Sequence, residues 1–560
     1  MVAAPAAASG LVPRARTIAG LPLVVLLLAL GPAAGAGPAA GTGAAVDGGT
    51  AVDAGIVADA GPVATAPGTA PIRAPGPVVD EQRLAAVEAY LEEERVALGV
   101  PGMAAVLVSG GEPVLEVGLG TADDVGTPVT PTTPFLIASL SKSVTALAVA
   151  RLVEDGAVDP DLPVTTYLPE LAPGGDTVTV TDLLSHRAGP TTRDGLDSFS
   201  GGTGSTLEGN VERLADELRP SAFAYTNAGY DVLALLVERV SGRDYEEFLG
   251  AEVFGPLGMT ASTTDPGVAQ EAGLALGHYR WLALGYRPER PRMPDGMVGS
   301  FRMFSSARDL GLLLAAHLGE APAFTAASWE WLHTGADTGS GSGYGGGLVV
   351  LPADPAADDP LLQREVLAHD GASLAYRSMM WMVPEDDLGF VVLANANDTT
   401  DEGQLVRVAY NVQRLLLGVP LAEREPPPDP LYRWGKQALA LLVVVQVGLG
   451  LVALRAVRRR SGGGRWRRVD RVVVLLAGLV DVAAVMAFLV VVPALVDTPV
   501  RVVLQSPDLR LLATVAVLAA VLGVVRLVLL ARSRPTRPRS STAQAQPASS
   551  TPPGTSAVGS

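Results

Sequence analysis

A chain of 560 residues with 63 Gly, 44 Pro, no Cys and a net charge of −17 has no thiol for a disulfide or for nucleophilic chemistry. The charge is unevenly distributed: from residue 455 onward 15 arginines stand against 4 acidic residues, whereas upstream 26 basic residues face 54 acidic ones. An acidic body with a basic end argues against nucleic acid as a partner, because a phosphate backbone is held by a basic face.

Near the N-terminus, Arg14 and Arg16 precede the apolar run TIAGLPLVVLLLALG and the small residues PAAGAG, the order of a secretory signal. Residues 1–36 are expected to be cleaved after Ala36 or to stay as an anchor, and both outcomes put the downstream chain outside the cytoplasm. Residues 37–79, almost entirely Ala, Gly, Pro, Val, Thr and Asp without periodicity, are expected to form a disordered linker. From Asp80 the pattern changes to EQRLAAVEAYLEEERVALG, with apolar positions at helical spacing. MAAVLVSGG and PVLEVGLGTAD then read as two strands about a Gly-Gly turn. The helical stretch LIASLSKSVTALAVARLVEDG comes next, and mixed sequence continues to about residue 340. GGGLVVL, AYRSMMWMV and GFVVLANA read as strands, and EGQLVRVAYNVQRLLLG as an amphipathic helix. Strands at both ends with helices between them predict one α/β unit over 80–424, whose sheet joins the two termini and whose insertion is helical. The SGGTGS stretch at 200–205 lacks the lysine of a phosphate loop and reads as a loop.

After REPPPDP, residues 425–531 contain three apolar spans, 437–454, 472–496 and 511–530. The first connection carries eight arginines and the second two, and the tail, 532–560, begins with ARSRPTRPR. The positive-inside rule puts the Arg-rich loop and tail in the cytoplasm and residues 80–424 outside it, the side that the N-terminal segment independently implies. Asp481 and Arg526 interrupt two spans and can pair, with Arg526 otherwise free to snorkel. Lys436, at the outer edge of the first span, reads as an interfacial anchor.

Of the 41 basic residues, only Lys142 and Lys436 are lysines. Arginine keeps its proton, whereas a buried lysine can lose it and act as a base. Ser139 lies three residues before Lys142, a spacing that puts hydroxyl and amine on one helical face, and a serine needs such a base to become a nucleophile. A backbone N–H at a helix start can help hold an oxyanion. The histidines at 186, 278, 317 and 333 are scattered and read as structural; without HxH or HExxH they suggest no metal.

The set Ser139-x-x-Lys142, Tyr225-Thr226-Asn227 and His369-Asp370-Gly371 resembles, in this order, the SxxK, YxN and KTG or HxG motifs of the serine β-lactamase-related superfamily, specifically its class C-like and family S12 peptidase branch. VTVTDLLSHRAGP resembles the family's LLTHTSG stretch, and GMVGSFRMFSSARDLGLLL its glycine and serine turn before a helix. The resemblance covers about residues 80–420. It implies an antiparallel sheet flanked by helices, with a helical subdomain, and no cofactor. Ser139 would be acylated by a small-molecule or peptide substrate with an amide or ester bond. Lys142 and Tyr225 would move the proton, Asn227 would hold a substrate amide or steady Lys142, and His369 would take the place of the third motif's basic residue. The N–H groups of Ser139 and Ala372 would form the oxyanion hole beside Gly371. Asp370 departs from the pattern, where Thr or Ser is usual: facing the pocket it would repel a carboxylate substrate, and facing away it would not. With the three spans, the architecture resembles membrane-anchored prodrug-activating peptidases that remove an N-acyl D-amino-acid cap. The expected function is a membrane-anchored extracytoplasmic hydrolase of the S12 peptidase, D-aminopeptidase or esterase kind. The alternatives are a D,D-carboxypeptidase or β-lactamase, and an acylated sensor or inactive binding protein.

Overall fold

The structure, a computed structural model, describes residues 77–192, 194, 206–290, 293–319, 324–398, 403–424, 430–461, 467–496 and 500–532. The expected signal or anchor, the linker up to residue 76, the 200–205 loop and the tail from 533 lie outside the described residues.

Helix α1, Glu81–Leu98, starts where Asp80 caps it by accepting from the Arg83 N–H at 2.8 Å, and ends at Gly99 in the left-handed conformation. Strands β1, Gly102–Ser109, and β2, Glu112–Gly120, form the expected hairpin, followed by the short β3, Phe135–Leu136. Helix α2, Ser141–Glu154, carries the lysine of the SxxK segment, and α3, Asn227–Ser241, begins at the last residue of the YTN triplet within a set of shorter helices. Strands β4, His278–Trp281, and β5, Gly285–Pro288, form a second hairpin. Then come β6, Phe304–Ser305, and α4, Ala307–Gly319. The strands β7, Ala336–Asp337, β8, Gly343–Gly345, β9, Leu348–Leu351, β10, Val366–Ala372, β11, Arg377–Val383, and β12, Leu388–Ala394, lead to β13, Ala396–Asn397. Helix α5, Gly403–Leu417, closes the unit.

Eight strands form one sheet in the order β2-β1-β12-β11-β10-β9-β8-β7. The β1–β12 register, from Met103 opposite Ala394 to Ser109 opposite Leu388, is antiparallel and joins the two ends of the unit as the sequence predicts. β1 and β12 are buried nearly throughout rather than at alternate positions, because helices cover both sheet faces: α4 lies on one, and α5 with α1 on the other.

Register also assigns the faces of β10. Ala368, Asp370 and Ala372 stand opposite Trp381, Met379 and Arg377, and the Trp381 indole donates to the Ala409 carbonyl on α5 at 2.9 Å. These residues therefore face α5, and His369 and Gly371 face the other way. His369-Asp370-Gly371, which none of the strands expected from sequence includes, lies inside β10. Three polar or glycyl positions interrupt the strand's apolar pattern, which hides it from a periodicity reading.

Three long helices follow: α6, Pro430–Ser461, α7, Arg468–Met486, which continues through one π-helical turn to Leu495, and, after a short helix Val500–Val503, α8, Pro507–Arg532. All three are long and apolar enough to cross a membrane, with stretches at Trp434–Arg459, Arg468–Leu495 and Pro507–Val528. Leu441, Val444, Leu475, Leu518 and Leu522 point outward from them, as side chains facing lipid would. Asp481 and Arg526 form the expected ion pair, and Gln446 adds a bond to Asp481 Oδ1 at 3.1 Å and another to the Ala516 carbonyl at 2.9 Å. Arg526 is buried at this junction and does not snorkel.

Lys436 also differs from its reading as an interfacial anchor. It is buried, donates to the Tyr279 hydroxyl at 2.6 Å and lies 3.6 Å from Asp508 at the start of α8. Asp508 accepts from the Tyr279 hydroxyl and the Leu282 N–H, both at 2.9 Å. The β4–β5 hairpin thus sits on the ends of α6 and α8, leaving the Arg-rich connection at the far end of these helices.

Candidate active site

The backbone before Ser139 turns sharply. Ala138 holds φ at +49°, a left-handed value that an alanine adopts only under constraint. The bend places Ser139 in a 3₁₀ turn, Ala138–Leu140, just before α2 begins at Ser141. Helical continuation through this turn brings the Lys142 Nζ to 3.1 Å from the Ser139 Oγ.

Lys142 is fully buried, and its Nζ donates to Asn227 Oδ1 at 2.6 Å and to the Ser300 carbonyl at 2.9 Å. Asn227 is the first residue of α3, fixed by Thr226, whose hydroxyl caps that helix. The ring of Tyr225, one residue before the cap, has its centroid 4.9 Å from Nζ. The SxxK and YxN segments, 85 residues apart in sequence, thus meet at a single amine.

From the sheet, Gly371 lies directly against the serine. A side chain there would come within 2.2 Å of the Ile137 carbonyl and 3.2 Å of the Ser139 nitrogen, so only glycine allows this approach. Ser378, opposite Gly371, donates to the Ile137 carbonyl at 2.8 Å and ties the turn to β11. Ala372 follows Gly371 in β10, buried at the strand end. Gly347 makes a comparable approach: a side chain there would meet the Ser143 nitrogen at 2.4 Å.

His369 lies 2.6 Å through Nδ1 from the Asp370 carbonyl and 3.0 Å through Nε2 from the Tyr344 hydroxyl. A carbonyl can only accept, so Nδ1 carries the proton and Nε2 accepts from Tyr344. Burial, then the Lys142 charge, depresses the imidazole to about 3, leaving it neutral at ordinary pH. The Asp370 carboxylate lies on the α5 face, 2.6 Å from Arg377. Of the two orientations open from sequence, the structure has Asp370 facing away. Burial raises its pKa despite the opposing pull of Arg377.

Three contributors carry little or no signal in the sequence. Ser300 supplies a backbone carbonyl, a group any residue has. Tyr344, from the glycine-rich GSGYGGG, bonds His369. His186 reads as structural in the sequence, yet its ring centroid lies 4.5 Å from Tyr225 and 4.4 Å from Tyr344. The Thr226 N–H donates to its Nδ1 at 3.3 Å, so the proton sits on Nε2. Burial, followed by the Lys142 charge, holds His186 well below its ordinary value. The remaining histidines lie elsewhere, and among the described residues no group of three His, Cys, Asp or Glu side chains could hold a metal ion.

A family model described as Beta-lactamase matches residues 87–413. PbpX of Bacillus subtilis (strain 168), named as a penicillin-binding protein, is 30% identical over 266 residues, which cover 47% of this chain and 64% of PbpX. Esterase EstB of Burkholderia gladioli is 32% identical over 219 residues, covering 35% of this chain and 53% of EstB. The chain therefore spans less than two thirds of either curated relative. Among solved structures, an octameric penicillin-binding protein homologue from Pyrococcus abyssi superposes with a TM-score of 0.53 at 27% identity, covering 61% of this chain and 79% of that one.

Proposed function

The chain belongs to the β-lactamase family, and on that premise we propose that it is a membrane-anchored serine hydrolase that opens an amide or ester through an acyl-serine intermediate. The observation that carries this reading is the position of Lys142: fully buried, 3.1 Å from the Ser139 Oγ and held by Asn227. Ser139 attacks the substrate carbonyl while its proton passes through the Lys142–Tyr225 network to the leaving group. The N–H groups of Ser139 and Ala372 receive the oxyanion, and Tyr225 then activates the water that releases the acyl group.

The third motif supports a neutral acyl donor. Recognition of a carboxylate calls for a cation, but His369 is uncharged above about pH 3 and Asp370 is turned away with its counter-ion. This favours the D-aminopeptidase or esterase reading over D,D-carboxypeptidase or β-lactamase. With the Arg-rich connection in the cytoplasm, the catalytic unit works on the outer face of the membrane.

Activity-based labelling tests the assignment. A fluorophosphonate is expected to label the wild-type chain and not Ser139→Ala, with weaker labelling by a fluorescent penicillin. Lys142→Arg, which retains charge but cannot shed its proton, is expected to lower ester turnover by about 10²–10⁴-fold. Labelling that survives Ser139→Ala, or full turnover by Lys142→Arg, would overturn the mechanism.

A further inference from the structure

Behind the sheet, on the face opposite Ser139, lies a cavity of about 290 Å³ between β9, β10 and α5. That is roughly twice the 150 Å³ of an apolar cavity that takes up a benzene-sized guest. Leu351, Pro352, Leu361, Leu362, Val366 and Val406 give it an apolar wall. Two uncharged polar side chains of α5 interrupt that wall: Gln413 is 1% exposed and Tyr410 7%. Neither the Gln413 Oε1 and Nε2 nor the Tyr410 hydroxyl has a hydrogen-bond partner among the described residues. Each such buried group is costly when unsatisfied, and three at one wall are a cost that a bound ligand would relieve.

The surrounding charges narrow the ligand. Arg364, Arg407 and Arg414 all line the cavity, yet each is already paired, with Asp386, Glu94 and Asp359 respectively. Among the described lining residues, no uncompensated cation is left to recruit an anion. What remains is a carboxamide offering donor and acceptor side by side, together with a hydroxyl that can do either. This pattern complements a second amide, which can pair with Gln413 at two points and with Tyr410 at a third, while an apolar body fills the space towards Leu361 and Val406. We propose that this cavity is a second, non-catalytic binding site for a small neutral amide with an aliphatic or aromatic body.

Hexanamide serves as the probe, titrated calorimetrically into the full chain in nanodiscs, with empty nanodiscs subtracted. Saturable one-site binding is expected, unchanged in Ser139→Ala, weakened at least about tenfold in Gln413→Leu and Tyr410→Phe, and much weaker for hexanoate. Should either α5 variant lose its fold, nuclear Overhauser contacts from hexanamide to the Leu361 and Val406 methyls of the wild-type chain decide the matter. Absence of saturable binding, binding lost in Ser139→Ala, equal binding by a folded Gln413→Leu, or hexanamide without contacts to those methyls would each overturn the proposal.

Discussion

Both lysines of this arginine-rich chain are buried, and each has its ammonium close to a tyrosine ring, Lys142 at Tyr225 and Lys436 at Tyr279. A compact point charge on a flexible stem fits such a site where a planar guanidinium fork would not. Around Lys142, the charge also acts on its neighbours: it helps keep His369 and His186 neutral. Linkage gives the sign of the resulting pH dependence. His369 titrates near 3 in the fold and near 6.5 when unfolded, so its contribution is fully present above about pH 6.5. As pH falls below that, the unfolded chain takes up a proton that the folded chain refuses, and stability declines until pH approaches 3. Replacing His369 with Gln is therefore expected to flatten the fall in unfolding free energy between pH 6.5 and 5 by most of a proton, about 1 kcal/mol per pH unit. Denaturant melts of both proteins across that range measure it, and parallel slopes would show that His369 is not held neutral. Ser139, Lys142, Tyr225 and Asn227 are legible in the sequence because each sits in a short motif whose local backbone sets its direction. Ser300 is not, since it acts through its carbonyl, and neither are Tyr344 and His186, which owe their place to packing between distant segments.

Among the elements, the α6–α8 bundle is legible from hydropathy alone, but its internal glue is only half so. The sequence offers Asp481 and Arg526 as a pair; Gln446, on α6, completes the junction by bonding both Asp481 and the α8 backbone. Two glycines make room for it. A side chain at Gly523 would come within 2.4 Å of Asp481 Oδ2, and one at Gly450 within 2.6 Å of an Arg526 nitrogen. Small residues at such crossings allow close helix packing without a hydrophobic drive between helices. Removing one partner strands the other charge in an apolar surrounding, whereas removing both replaces the pair with ordinary packing. Asp481→Leu alone is expected to destabilise the bundle by about 3–5 kcal/mol, and Asp481→Leu with Arg526→Leu to recover most of that loss. Thermal unfolding of both variants in detergent checks it, and a double variant no better than the single one would refute the pairing argument. The β4–β5 hairpin, by contrast, cannot be read as strands: HYRW and GYRP are short and lack alternation, and they pair because β13 supplies an edge from more than a hundred residues away.

At the scale of the whole molecule, that hairpin is one link between the catalytic unit and the three helices. On one side Tyr279 and Leu282 meet Asp508, and Gln437 donates to the Leu282 carbonyl at 3.1 Å. On the other, the His278 N–H donates to the Ala375 carbonyl at 3.1 Å, and the Tyr376 hydroxyl donates to the Ala275 carbonyl at 2.7 Å. Ala375 and Tyr376 belong to the turn that joins β10 to β11, immediately after Gly371 and Ala372. The helices therefore reach the strand end beside Ser139 through this hairpin, whose other edge pairs with β13. Asp508 is the group that holds this junction, since it accepts from both Tyr279 and Leu282 while facing Lys436. Asp508→Ala leaves the Lys436 ammonium without its carboxylate and the Leu282 N–H without an acceptor, a loss of about 3–5 kcal/mol for a broken buried pair. The hairpin opens locally long before the sheet does, so the effect falls on local rather than global stability. Amide hydrogen exchange on the full chain in nanodiscs is expected to show residues 278–288 exchanging at least about tenfold faster in Asp508→Ala, with β1, β11 and β12 unchanged. The Ser373–Tyr376 turn should loosen with the hairpin, because its hydrogen bonds go to residue 278 in β4 and to residue 275 just before it. Unchanged protection of the hairpin would mean that the sheet alone supports it and that the helices bear no load there. Loosening of the hairpin without the turn would separate the membrane junction from the strand end that carries Gly371.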